Sequence, residues 1–201
     1  MLKKIFVLLI LINLNASLLA NELIGANLNN ISISNLSQAV NTTKEKLDDP
    51  RLKNQIVKAT VTVNIKAPVD KVWSILTDFK NYPDIFTKIE SCNILRQKNN
   101  LVYIESFLKP QMFVKQTCQH TINDLSSGPN KLSWYMLDGN FQYMEGSWKL
   151  IAKNDGKICQ AYYTIKTIPG SVIPKSLVNV ALNMVQHEVV NSLKDACEKV
   201  N

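Results

Sequence analysis

The sequence predicts an α+β domain: a curved antiparallel sheet of about seven strands wrapped around one long C-terminal helix, with two short helices after the first strand. Three observations carry this. Val57–Ile65, VKATVTVNI, alternates apolar and polar residues without a break, the period of a strand with one wet face. Between Ile89 and Thr167, six further strand-like segments follow one another across tight breaks, the pattern of an antiparallel meander. From Pro174 to Val200 the chain carries a helical apolar stripe. At about 1.5 Å per residue that helix is roughly 40 Å long, enough to cover the sheet.

The chain of 201 residues opens MLKK and continues IFVLLILINLNASLLA: two lysines, an apolar block from Ile5 to Leu14, then small residues ending at Ala20. This is the layout of a secretory signal peptide. The block is shorter than the about 20 apolar residues of a membrane span, and an uncleaved N-terminal anchor is the alternative. Cleavage near Ala20 would make the protein periplasmic or secreted. Residues 21–50, rich in Asn, Ser and Thr, have little apolar surface to bury and read as a polar, flexible leader. Residues 51–201 then form one domain with one core.

Net charge is +7, and residues 1–20 contribute Lys3 and Lys4 to it and no acid. The remaining basic residues are dispersed, which gives no reason to expect a nucleic-acid partner. Loose attraction to an anionic lipid surface stays open. Cys92, Cys118, Cys159 and Cys197 are widely spaced and form no CxxC, so no zinc or thioredoxin-type motif is expected. After export, disulfides are permitted in any of three complete pairings; free buried thiols are the alternative.

Each element has its own local reason. In KAPVDKVWSILTDF, Pro68 suits a helix start, and Val69, Val72, Trp73 and Leu76 form an apolar stripe that Phe79 continues. Asn81-Tyr82-Pro83 interrupts it, and a second short helix can begin at Pro83. The strands are expected at Ile89–Gln97, Leu101–Lys109, Val114–Asn123, Lys131–Leu137, Tyr143–Lys153 and Ile158–Thr167. The breaks fall at Lys98–Asn100, Pro110, Ser126–Pro129, Asp138-Gly139 and Asp155-Gly156. In the last helix Leu177, Val180, Ala181, Met184, Val185, Leu193, Ala196 and Val200 make the stripe. Asn179, Asn183, Asn191 and Lys194 wet the other face, too polar for a transmembrane segment. A sheet curved around such a helix tends to leave a hollow, and apolar hollows hold apolar ligands.

This order, with APVDKVWSILTDFKNYPDIF early and DGNFQYMEGSWKL late, resembles the START-like helix-grip (SRPBCC) superfamily. More narrowly it is similar to the polyketide cyclase/dehydrase family, which includes the coenzyme-Q-binding START-domain proteins. The resemblance covers roughly Val57 to Asn201. Its telling pieces are Ala67-Pro68, Val72-Trp73, Asp78, Tyr82-Pro83, Gly139, Phe141, Met144-Glu145-Gly146 and Trp148. It implies a helix-grip fold with a cavity between sheet and C-terminal helix. It does not name the occupant, because the family spans quinone and lipid binding, hydrophobic transport and aromatic ring cyclisation.

The residues expected to line that cavity are Trp134, Phe141, Met144, Trp148 and Tyr163 from the strands, with Val180, Met184 and His187 from the helix. Aromatic rings supply large apolar area, methionines adapt to irregular ligands, and His187 can orient a polar head group. The plainer alternative is that these side chains pack the core. Asp138-Gly139 reads as a hairpin corner. Alternation along Tyr143–Lys153 puts Met144, Gly146 and Trp148 on one face and Glu145 with Lys149 on the other. Glu145 then points outward unless a bulge at Gly146 re-aims it. No Ser/His/Asp set is apparent around His120 or His187, and no catalytic residue, metal or cofactor is expected. The reading that results is an exported binding or transport protein for a quinone, lipid or polyisoprenoid, with transient membrane contact through Ile168–Pro174. That segment can equally be a stiff connector. The alternatives are a cyclase or dehydratase acting on a small aromatic or polyketide-like substrate, and an interaction module with a solid interior.

Overall fold

The computed structural model describes residues 56–110, 117–139, 143–168 and 175–199, with 117 and 175–185 as backbone only. The expected signal peptide, leader, Phe141 and the Pro169–Pro174 connector lie outside the described residues, as do the side chains of Val180 and Met184. The elements are β1 (Val57–Ile65), α1 (Val69–Thr77), a single 3-10 turn (Phe79–Asn81), α2 (Tyr82–Ile85), β2 (Ile89–Lys98), β3 (Leu101–Leu108), β4 (Thr117–Ser127), β5 (Lys131–Asp138), β6 (Tyr143–Lys153), β7 (Ile158–Ile168) and α3 (Lys175–Glu198). They match the expected order. β4 departs most: it runs through Ser127, past the expected end at Asn123 and into the segment read as a turn.

The strands form one seven-stranded sheet in the order β1-β7-β6-β5-β4-β3-β2, and every pairing is antiparallel. The meander β2 to β7 needs only short connections, and β1 closes onto β7. Alternation then assigns two faces. The inner face, turned toward α3, carries Val57, Val61 and Ile65 of β1, Leu132 and Met136 of β5, Met144, Trp148 and Leu150 of β6, and Cys159, Ala161, Tyr163 and Ile165 of β7. These share one core with Val190, Leu193 and Cys197 of α3 and Val72 and Leu76 of α1.

Pro68 precedes α1 in extended conformation. Tyr82 Oη donates to Leu76 O at 2.7 Å, which ties α2 back onto α1. Trp73, on the apolar stripe of α1, is half-buried, packs against the core and sets its ring against Gly128. A smaller apolar cluster of Tyr103, Ile122, Leu101, Tyr135 and Leu137 occupies the outer face. There β5 carries a bulge: Thr121 faces Met136, but the next residue down β4, His120, faces Asp138. Leu137 is the extra residue, and it joins the outer cluster. Among the described residues no helix is long and apolar enough to cross a membrane.

Candidate functional site

The inner face of β5 to β7 carries Trp134, Trp148 and Tyr163, three of the side chains expected to line a cavity. Trp148 and Tyr163 are directly opposed in the register, and their rings stack at 4.4 Å between centroids and 26° between planes. Such a pair contributes about 0.5–1.5 kcal/mol beyond the area it buries. Burial pushes the Tyr163 phenol well above its ordinary pKa, so it stays neutral. Trp134 faces Gly146 across the β5–β6 ladder. Its indole lies where a side chain at 146 would be: a Cβ there would sit 2.3 Å from Trp134 Cζ2. Glycine at 146 is thus the condition for Trp134 to lie flat on the sheet. Met144 and Met136 belong to the same core.

Sequence reasoning missed that the inner side of the sheet and the buried side of α3 also carry buried neutral polar groups. Ser106, Thr121, Asn123, Thr167 and Gln186 are all buried. Asn123 Nδ2 donates to Thr121 Oγ1 at 3.2 Å, Thr167 Oγ1 to Tyr143 O at 2.8 Å, and Gln186 Nε2 to Ala59 O at 3.0 Å. Gln186 Oε1 is left buried without a partner, an arrangement that costs about 1–3 kcal/mol unless something supplies a donor. His187, expected to be the polar group of α3 on the ligand side, is exposed instead. Adjacent helical residues project about 100° apart, so the helix that packs Val190, Leu193 and Cys197 inward turns Gln186 in and His187 out.

The charged candidates sit elsewhere. β6 has no bulge against either neighbour, so Glu145 points to the outer face, where it pairs with Lys166 Nζ at 2.7 Å. The two flank a shallow polar depression with Lys131, Ser133 and Tyr135. Asp138 ends β5 beside Gly139, whose φ of +147° is open only to glycine, as a corner requires. The carboxylate does more than shape the corner, however. Its Oδ1 accepts from the His120 backbone N–H at 3.2 Å and lies 2.8 Å from His120 Nδ1. Glu105 Oε2 lies 3.3 Å from His120 Nε2 on the other side. Burial alone would lower the His120 pKa. The Asp138 hydrogen bond and charge, then Glu105, outweigh it, and the net direction is up. All four cysteines are free thiols, so none of the three disulfide pairings is made.

A curved antiparallel sheet with a C-terminal helix across its inner face, sharing one core that includes Trp148 and Tyr163, defines a helix-grip domain. A family model described as polyketide cyclase / dehydrase and lipid transport matches residues 65–194, and the chain belongs to that family. A candidate polyketide cyclase of Streptomyces cyaneus is 27% identical over 97 residues, which cover 47% of this chain and 62% of that protein. Among solved structures, the aromatase/cyclase Zhui of Streptomyces sp. R1128 superposes with a TM-score of 0.61 at 19% identity, covering 71% of this chain and 94% of that one. A START superfamily protein of Mycobacterium smegmatis superposes with a TM-score of 0.63 at 16% identity, covering 70% and 97%. At these identities the likeness is one of fold.

Proposed function

We propose that the protein is an exported carrier that holds a hydrophobic molecule, such as a quinone, lipid or polyisoprenoid, between the sheet and α3. One observation carries the reading. Among the described strand residues, those turned toward α3 are apolar, aromatic or neutral polar, and the acidic and histidine side chains Glu105, His120, Asp138 and Glu145 all lie on the opposite face. Such an interior can desolvate and orient a ligand but offers little acid–base chemistry. Transfer of the ligand from water would be driven by about 25 cal/mol per Å² of apolar area buried, and the unpartnered Gln186 Oε1 would accept a hydrogen bond from its polar head. The chain MLKK…Ala20 supports export, and the Ile168–Pro174 connector is the proposed point of membrane contact. Protein isolated from the periplasmic fraction should begin near Asn21 and release a hydrophobic molecule on organic extraction, detected by native mass spectrometry. Delipidated protein that binds no hydrophobic probe would overturn the carrier reading.

A cyclase or dehydratase is the second reading. It is favoured by the cyclase relative and by the aromatase/cyclase of like fold. It needs an acid or base in the interior. Turnover of an aromatic polyketide-like substrate by the purified protein would establish it over the carrier reading.

A further inference from the structure

The outer face brings together three side chains with metal-ligand chemistry. Cys118 and His120 are two apart on β4 and so share a face, and Glu105 of β3 stands directly opposite His120. Their ligating atoms, the Cys118 sulfur, an imidazole nitrogen and a Glu105 carboxylate oxygen, all lie within 4.8 Å of one another. Two independent features make this more than a cluster. First, Asp138 Oδ1 holds the Nδ1 side of the ring at 2.8 Å, which leaves Nε2 facing Glu105. Metal-binding histidines are fixed in this way, with a carboxylate on the far nitrogen. Asn93 Nδ2 approaches Glu105 Oε1 at 3.4 Å, steadying the second ligand from behind. Second, Tyr103 stacks on His120 at 5.8 Å and 29°, and its buried Oη has no hydrogen-bond partner.

We propose that Cys118, His120 and Glu105 bind a zinc ion on the outer face of the sheet, with Asp138 orienting His120. Thiolate, imidazole and carboxylate together suit zinc. Three protein ligands leave a fourth position for water, and a zinc-bound water would supply the partner that Tyr103 Oη lacks. Tetrahedral zinc with bonds of about 2.0–2.3 Å sets its ligand atoms roughly 3.3–3.6 Å apart, so from separations of at most 4.8 Å the side chains close by about 1.5 Å or less. Binding displaces the Cys118 thiol proton, and the Nε2 proton where one is present. The ion's two positive charges are then matched by one thiolate and one carboxylate. Glu105, at 25% side-chain exposure against 11% for His120, marks the entry side. The site is independent of the interior and of what the interior binds.

Untagged protein, stripped with EDTA and titrated with zinc against a chromophoric chelator, should bind one equivalent. Cys118→Ser and His120→Gln should abolish stoichiometric binding, and Asp138→Asn should weaken it by about 10- to 100-fold. Asp155→Asn, an exposed carboxylate in the β6–β7 turn, should leave it unchanged. Cobalt(II) in place of zinc should give a thiolate-to-metal charge-transfer band. In the unaltered chain, zinc should also shield Cys118 from alkylation and EDTA should restore labelling, read at raised pH because burial and the Glu105 and Asp138 charges push this thiol up to about 11, a readout that needs no variant to fold. Absence of binding, binding that survives Cys118→Ser, or a cobalt spectrum with no thiolate band would overturn the site.

Discussion

Gly146→Ala is the sharpest probe of the interior. The new methyl would stand 2.3, 2.4 and 2.7 Å from Cζ2, Cε2 and Nε1 of Trp134. Restoring a normal separation of about 3.5–4.0 Å moves the indole back by roughly 1.2–1.7 Å. Trp134 is packed against the core cluster that contains Met136, Met144 and Trp148, so that shift propagates. Overpacking of this kind costs about 1–3 kcal/mol. For a domain of this size each kcal/mol lowers Tm by about 2–4 °C. Urea denaturation of Gly146→Ala, Trp134→Leu and the double variant forms a cycle. In the Trp134→Leu background the alanine should be nearly free, because the ring it strikes is gone. An unchanged midpoint for Gly146→Ala, or the same loss in both backgrounds to within about 0.5 kcal/mol, would refute the claim that Gly146 exists to seat Trp134.

Three further outcomes are expected. Glu145→Gln breaks a pair with Lys166 in which Lys166 is 39% exposed, so stability should fall by less than about 1 kcal/mol and the yield of co-purified ligand should not change; loss of ligand would return Glu145 to the site. Gln186→Leu removes the donor to Ala59 O together with the orphaned Oε1, and the opposed effects should leave stability within about 1 kcal/mol. A hydroxyl-bearing probe should then bind up to roughly tenfold more weakly, whereas its fully apolar analogue should bind as before; equal loss of both would show a packing defect instead. Burial pushes the Cys92 and Cys159 thiols up and Cys197 to about 12. At pH 8 these remain protonated, so alkylation should be slow in native protein and fast in denaturant; rapid native labelling of any of the three would contradict the burial.

What could be read from the sequence followed periodicity, and what could not followed topology. β1 alternates without interruption, and its buried residues are the odd ones, as expected. The direction of Glu145 was legible because β6 keeps its register for its whole length. β4 inverts the usual rule: it turns Thr121 and Asn123 inward and Ile122 outward, so hydrophobicity points to the wrong face. Gln186 was hidden for the same reason, as a polar side chain on the buried side of α3 beside an exposed histidine. Glu105, His120 and Asp138 come from three strands and meet only through the pairing register, which no local motif encodes.

The bulge at Leu137 has a consequence for chemistry as well as for shape. In an unbroken strand Asp138 would share its side of the sheet with Trp134 and Met136. The extra residue reverses the parity of everything after it, and the carboxylate emerges beside His120 instead. Whether Leu137 is bulged out or kept in the alternation therefore decides whether the carboxylate stands beside His120 or among the inward aromatic side chains. Deleting Leu137 removes the bulge but sets Asp138 directly after Met136 on the alternate face, so the carboxylate should stay beside His120, where NMR should find the His120 pKa still above its ordinary value.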